Sequence, residues 1–453
     1  MQEKNISPSY FSIANRRIVL LFFSFHTIAL IFFDKVTAFA PDELSYVQVF
    51  ENLYDEGFEL SPFLGWPAES VNVLKVLYLP AKLINLTGVS SFYSIRMLSV
   101  LYSFFTLYLL LRCTSNLRFL RAKSSTWISL AFFIPSVFMW TTLGLRESFL
   151  FISLSTIFLI TKDSLNLNVY TRIALMFFAA IVLMNTKLYL YCLLLIALLI
   201  SICIIWICEK KFIRLYSLYV VVFLIPLLIF PSITMGAVTN ATAVFRTQFD
   251  VAPSTTPSRT PSTTPSTTPS TDATQLIRTR GETLHSLREQ LNRNPAINWL
   301  AEVSGLEEYL EGKVKNATLD SSLPQVADNL NRLKSDPASL ENPLSLISGF
   351  GTFLFIPLPF VDNGSFFLNI LSYESFAWYL FYGLFITILV GIVRGRLRLS
   401  LSTLTATTFA IEFIFLSALI ETNHGTSLRH RAVLLFAVLA MLASSERENR
   451  SGA

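Results

Sequence analysis

The sequence predicts an all-α polytopic membrane protein with about ten transmembrane helices. Three observations predict it. Of 453 residues, 53% are apolar and 14% charged, and that charged share is about half that of an average soluble chain. Phenylalanine alone supplies 40 residues, and the mean hydropathy is +0.55. Such a chain has too few polar groups to cover a globular surface, so most of it belongs in lipid. Long apolar runs recur between short polar turns. Lys and Arg then gather in alternate turns, as they do on the cytoplasmic side of a membrane. A water-soluble enzyme, a disordered scaffold and a disulfide-stapled secreted module are all excluded. The four cysteines, Cys113, Cys192, Cys203 and Cys208, lie in or beside apolar runs and make neither a disulfide framework nor a zinc site.

The expected spans fall near residues 17–34, 95–112, 126–143, 147–162, 173–186, 187–208, 215–233, 374–393, 400–420 and 430–445. Arg16 and Arg17 precede the first. Arg112, Arg118, Arg121 and Lys123 follow the second, Lys162 and Arg172 flank the next inner turn, and Lys210, Lys211 and Arg214 the one after. Arg394, Arg396 and Arg398 complete the set. An even number of spans with these turns inside puts both termini in the cytoplasm. Residues 346–361 are apolar too, but if they crossed, Arg394 to Arg398 would lie outside. Pro357 and Pro359 also suit a helix end better than a helix middle. The segment therefore reads as an amphipathic piece lying in the outer interface.

Three regions follow. Residues 1–233 form a membrane core that includes a first outer loop, 34–94, rich in acids between Asp34 and Glu69. Ala38-Phe39-Ala40 has the small-x-small form of a signal-peptidase site, but the first span is expected to be retained. Residues 234–345 form an extracytoplasmic loop. Its stretch 253–272 carries proline at every fourth position, which forbids a helix and offers no core, so it is a partly disordered, extended linker. Short amphipathic helices are expected at 282–292, 300–314 and 324–333. Asn85, Asn240, Asn316 and Asn363 each begin an N-glycosylation acceptor pattern. Residues 346–453 hold the interfacial segment and the last membrane helices.

Charge at membrane depth or at its rim is costly, so each such residue needs a reason. The outer face collects several. Pro41-Asp42-Glu43-Leu44-Ser45-Tyr46 follows the first span, Arg146-Glu147 sits between the third and fourth, and Lys187 between the fifth and sixth. His424, Arg429, His430 and Arg431 lead into the last span. Cations here run against the usual inside bias. Guanidinium groups bind phosphate oxygens bidentately, and a nearby carboxylate suits a general base. Together they describe group transfer from a phosphate-activated lipid, with the leaving phosphate stabilised by fixed cations. Each piece also has a bland reading: solvated loop acids, headgroup contacts for the arginines, a snorkelling Lys187. His26 reads as a helix-contact histidine and His285 as a loop residue.

In these features the chain resembles the multispan glycosyltransferases of the C-type (GT-C) fold, among them the protein O-mannosyltransferases and the aminoarabinose transferases. The likeness rests on the acidic pair Asp42 and Glu43 with Tyr46 behind it. It rests also on the amphipathic stretch Val73 to Leu86 followed by Ile95-Arg96, and on the Arg-bearing turn from Asn423 to Arg431. The run Phe353 to Phe360, followed by Tyr373 to Tyr379, is similar to one in bacterial relatives. The resemblance implies Asp42 as the base activating the acceptor, with Glu43 assisting it or positioning a cation. Arg429 and Arg431, with Arg146 or Lys187, would hold the phosphate of a polyprenyl-phosphate sugar. Tyr46, Arg96, Glu147, His424 and His430 would complete the substrate-binding set.

The implied function is an inverting glycosyltransferase of a bacterial inner membrane, its site on the extracytoplasmic face, its acceptor a saccharide, lipid or protein. No metal is readable, though two adjacent acids can hold a divalent cation. An O-antigen-type polysaccharide polymerase or ligase would share the lipid-phosphate chemistry but lean on His424 or His430. A lipid or saccharide transporter would need mid-bilayer charges and repeats, and only Glu412 stands within a span. No glycine-rich phosphate loop points to nucleotides or nucleic acid.

Overall fold

The computed structural model describes residues 13–32, 42–58, 70–114, 117–119, 122–162, 165, 167–209, 214–230, 343–360, 372–420 and 424–446. The signal-peptidase-like motif, the proline-rich linker, the loop helices, His285 and the acceptor patterns at Asn240, Asn316 and Asn363 lie outside them. The described chain is helical almost throughout. Its one ladder is a two-residue hairpin, β1 (Arg118–Phe119) against β2 (Ala122–Lys123), with Arg118 opposite Lys123.

Helix α1 (Ile13–Phe32) is followed by α2 (Asp42–Asn52) and α3 (Ser70–Asn85), then the long α4 (Ser91–Cys113). Beyond the hairpin come α5 (Ser124–Ala131), α6 (Pro135–Thr142) and α7 (Glu147–Leu159). The expected third span, 126–143, is thus not one helix. Pro135 supplies the break: it lacks an N–H, and it pushes the residue before it out of the helical region. Ile134 accordingly sits at φ −61, ψ 127, and Pro135 starts α6 as a first-turn proline. Helices α8 (Val169–Thr186), α9 (Leu188–Glu209) and α10 (Arg214–Ile229) follow. After the outer loop come α11 (Pro343–Phe355), α12 (Ser375–Val393), α13 (Leu401–Ile420) and α14 (His424–Ser444).

Among the described residues five helices are long and apolar enough to cross a membrane: α4, α8, α9 over Leu188–Cys208, α12, and α13 over Leu401–Leu419. Helices α6 and α7, bent by 104° to one another, make a sixth if taken as one broken span. The chain is an all-α integral membrane protein. Exposed Leu199, Ile200, Trp206 and Ile207 on α9, and Leu380, Ile386, Val390 and Val393 on α12, are the surface such helices turn to lipid.

Helix α14 is the axis of the bundle. Every residue from Arg431 to Ser445 is buried, with α4, α5, α6, α7, α11, α12 and α13 packed around it. An all-round apolar helix belongs in a core, and its alanines 432, 437, 440 and 443 let neighbouring backbones come close. A second, smaller core lies where α2 and α3 rest on α4, formed by Tyr46, Phe50, Leu74, Leu77, Tyr78, Ile95, Leu98 and Phe149 among others. Helix α3 keeps another apolar row exposed, Val76, Leu79 and Leu83, spaced as one helical face, with exposed Leu86 just past its end.

The two ends of the bundle differ. At one, the Lys162 ammonium donates to the carbonyls of Cys113 (2.6 Å) and Ala443 (2.8 Å), closing the C-termini of α4 and α14, and Arg398 N donates to Glu446 O at 2.8 Å. Cations there meet the negative ends of helix dipoles. The opposite end holds the candidate site.

Candidate functional site

Asp42 is the first residue of α2; its side chain lies outside the described set. Glu43 follows it and points into the protein. Arg96 Nε and Nη2 donate to its two carboxylate oxygens at 2.7 Å each, and Gly144 N donates to Oε1 at 2.7 Å. Both side chains of the pair are 0% exposed. The Arg96 guanidinium also lies over the Phe92 ring, 4.1 Å from its centre. A planar fork matches a carboxylate edge, so the charges neutralise each other in a dry setting. Glu43 was expected beside Asp42 in catalysis and Arg96 on substrate. The geometry instead commits both Glu43 oxygens to the protein and makes the pair a joint between α2, α4 and the α6–α7 turn. Gly144 is part of the fit, since a Cβ there would stand 2.6 Å from Ile95 Cγ2 and 3.3 Å from Glu43 Oε1.

Two residues beyond Gly144 the turn delivers the second group. Arg429 Nε, on α14, donates to Glu147 Oε1 at 2.5 Å. Arg146 and Lys187 also act electrostatically on Glu147, so cations from the α6–α7 turn, the end of α8 and the start of α14 converge on one carboxylate. Glu147 is 2% exposed while Arg429 keeps 19%, so the group opens on the Arg429 side. Lys187 stands at the C-terminus of α8, where a cation is favoured, and its ammonium lies 5.4 Å from the Tyr189 ring centre. The Tyr189 hydroxyl and His430 Nε2 are 3.2 Å apart. Arg429 lies over the Trp140 ring at 5.6 Å.

Tyr46 and Tyr78 are both buried, and Arg146 and Glu147 act electrostatically on Tyr78. Burial, with added push from Tyr46 and Glu147, raises the Tyr78 hydroxyl well above its usual range, so it stays protonated at neutral pH. Arg146, Lys187 and Arg429 thus act on Glu147, Tyr46 acts on Tyr78 beside them, and His430 meets Tyr189, whose ring lies near Lys187.

Arg431 is not with them. It is buried, and its guanidinium donates to the carbonyls of Phe353 (2.6 Å) and Ile356, closing the C-terminus of α11. The expected phosphate role is replaced by a capping one. Two residues separate Arg429 from Arg431, which puts them on opposite faces of α14, because a helix advances about 100° per residue. Glu374 makes a complementary cap: its carboxylate accepts from Ser136 N (2.8 Å), from the Ser136 hydroxyl and from Trp378 Nε1 (2.7 Å). A carboxylate there satisfies the first turn of α6. His424 begins α14, its side chain outside the described residues.

Reading the sequence did not single out Gly144, Tyr78 or Trp140. Gly144 had a faint signal, a lone glycine just before a charged turn. Tyr78 had none, being one of many aromatics on an amphipathic stretch. His26 is held in the core, Nδ1 to Phe22 O at 2.8 Å and Nε2 to the Thr141 hydroxyl at 3.0 Å. Glu412, within α13, has both carboxylate oxygens buried without a hydrogen-bond partner. None of the four cysteines is in a disulfide. Among the described residues no group of three or more His, Cys, Asp or Glu is placed to hold a metal ion. No protein-family model, no curated protein and no solved structure matches the chain.

Proposed function

We propose that the chain is an inverting glycosyltransferase of the GT-C kind, moving a sugar from a polyprenyl-phosphate-linked donor to an acceptor at the outer face of a bacterial inner membrane. In this reading the chain crosses about ten times with both termini in the cytoplasm, and residues 346–361 lie in the outer interface. Asp42 takes the proton from an acceptor hydroxyl as its oxygen attacks the anomeric carbon. The bond from that carbon to the phosphate oxygen breaks, and the polyprenyl phosphate leaves with the electron pair. Arg146, Lys187 and Arg429 stabilise the charge that gathers on it. A single displacement inverts the anomeric centre. The observation that carries the proposal is the convergence of those three cations, from three separate stretches of chain, on Glu147.

The test is complementation. A deletion strain is given the wild-type chain or Asp42→Asn, and envelope glycans and polyprenyl-linked sugars are quantified by mass spectrometry. Asp42→Asn should reach wild-type levels in the membrane yet leave the glycan missing and the lipid-linked donor accumulated. Full restoration by that variant would overturn the reading. A polymerase or ligase remains the competing reading because His430 reaches the same neighbourhood through Tyr189. Loss of product in His430→Ala together with a normal Asp42→Asn would select it.

A further inference from the structure

Beside the cation group, four buried polar atoms have no hydrogen-bond partner among the described residues: the Tyr78 hydroxyl, Trp140 Nε1, Arg146 Nε and Glu147 Oε2. A buried polar group without a partner is rare, and each one calls for a reason. These four come from α3, α6 and the turn that starts α7, yet they border one set of side chains. Arg429 joins two of them, bonding Glu147 Oε1 while lying over the Trp140 ring. The Tyr78 ring packs edge-on against Phe149, two residues past Glu147, with centres 5.3 Å apart. Arg146 and Glu147 both act electrostatically on Tyr78.

The chemistry of the four is mixed. Three are donors and one is a carboxylate acceptor. Three donors suit the oxygens of a phosphate. The carboxylate oxygen repels such an oxygen and suits a hydroxyl. We propose that Tyr78, Trp140 and Arg146 donate to the phosphate of a phosphate ester, while Glu147 Oε2 accepts from a hydroxyl borne by the same ligand, as in a sugar phosphate. This rests on the reading of the cation group as a phosphate site. It adds two residues, Tyr78 and Trp140, and a hydroxyl requirement that cations alone do not impose.

Tyr78→Phe is the sharpest probe, because the hydroxyl satisfies nothing in the unliganded protein. A hydroxyl that served the fold would leave a less stable protein when removed; one held in reserve for a ligand would not. The full chain in detergent micelles is titrated with inorganic phosphate, glucose 1-phosphate and citronellyl phosphate, and its unliganded melting temperature is recorded. Tyr78→Phe should melt no lower than wild type and bind every phosphate probe about tenfold more weakly, the value of one hydrogen bond to a charged group. Glu147→Gln should lower the preference for glucose 1-phosphate over inorganic phosphate. Wild-type affinity in Tyr78→Phe, a lower melting temperature in it, or an unchanged preference in Glu147→Gln overturns the site. So does failure of the wild type to bind any probe. If only the water-soluble probes bind, the site stands and the lipid-linked donor falls. If citronellyl phosphate binds equally to wild type and Tyr78→Phe but not to Arg146→Ala, the site falls and the reading of function stands.

Discussion

Two buried carboxylate–arginine pairs occupy the same end of the bundle and are built in opposite ways. Glu43 and Arg96 are closed: two 2.7 Å bonds across the fork, a third to Gly144 N, and no exposure on either side chain. Glu147 and Arg429 are open: one bond, a carboxylate oxygen left without a partner, further cations nearby and one side exposed. Both motifs look alike in sequence, an acid and a distant arginine. The difference lies in how many of the acid's lone pairs the protein itself consumes. Where it engages both oxygens the pair holds helices together; where it leaves one unbonded, a ligand can be recognised.

The largest effect separates the two pairs by stability. Removing one partner of a fully desolvated ion pair leaves an uncompensated charge, at about 3–5 kcal/mol. Arg96→Leu should therefore lower the melting temperature sharply, and Glu43→Leu in the same chain should restore much of it by removing the stranded carboxylate. Glu147→Gln keeps the shape and should melt within a few degrees of wild type. Melting curves of the purified variants decide this. Equal losses in Arg96→Leu and Glu147→Gln would erase the distinction between closed and open pairs.

A smaller effect is expected at the hinge between them. Gly144 donates to the closed pair and is three residues from Glu147 of the open one, so its backbone sets the spacing of both. Gly144→Ala would force a methyl to 2.6 Å from Ile95 Cγ2, and overpacking of this kind costs about 1–3 kcal/mol. Adding Ile95→Ala should make the double variant less unstable than the sum of the two singles. Simple additivity would mean that the turn shifts without involving Ile95.

Much of the fold was legible because helices in lipid announce themselves by run length and basic flanks. The expected spans at 95–112, 187–208, 374–393 and 400–420 end within a few residues of α4, α9, α12 and α13. The break at Pro135 was legible in principle, and was overridden by the apolar content on either side. Charge at the rim marked residues that the structure places near one another, Arg146, Lys187 and Arg429 around Glu147 and His430 beside Tyr189. It did not mark their roles. Whether Arg96 or Arg431 is spent on the protein depends on a carboxylate 53 residues away or on carbonyls of α11, and no local pattern encodes such a meeting. Tyr78 was invisible for the converse reason: its importance lies in a bond it does not make.

The smallest effect belongs to the other end of the bundle and serves as the control. Lys162 closes α4 and α14 by donating to Cys113 O and Ala443 O, with the half-exposed Glu446 carboxylate 3.5 Å away. Lys162→Met keeps the length of the side chain and its packing while removing the ammonium. The freed carbonyls end helices at buried residues, so the loss should be about 1–2 kcal/mol, in the range of a buried acceptor left unbonded and below that of a stranded charge. Because Lys162 meets neither carboxylate pair, phosphate-probe affinity and glycan product should both stay at wild-type levels despite the lower melting temperature. A variant that melts lower and also binds phosphate more weakly would show that α14 transmits strain along its length to Arg429. The two ends would then have to be treated as one coupled unit.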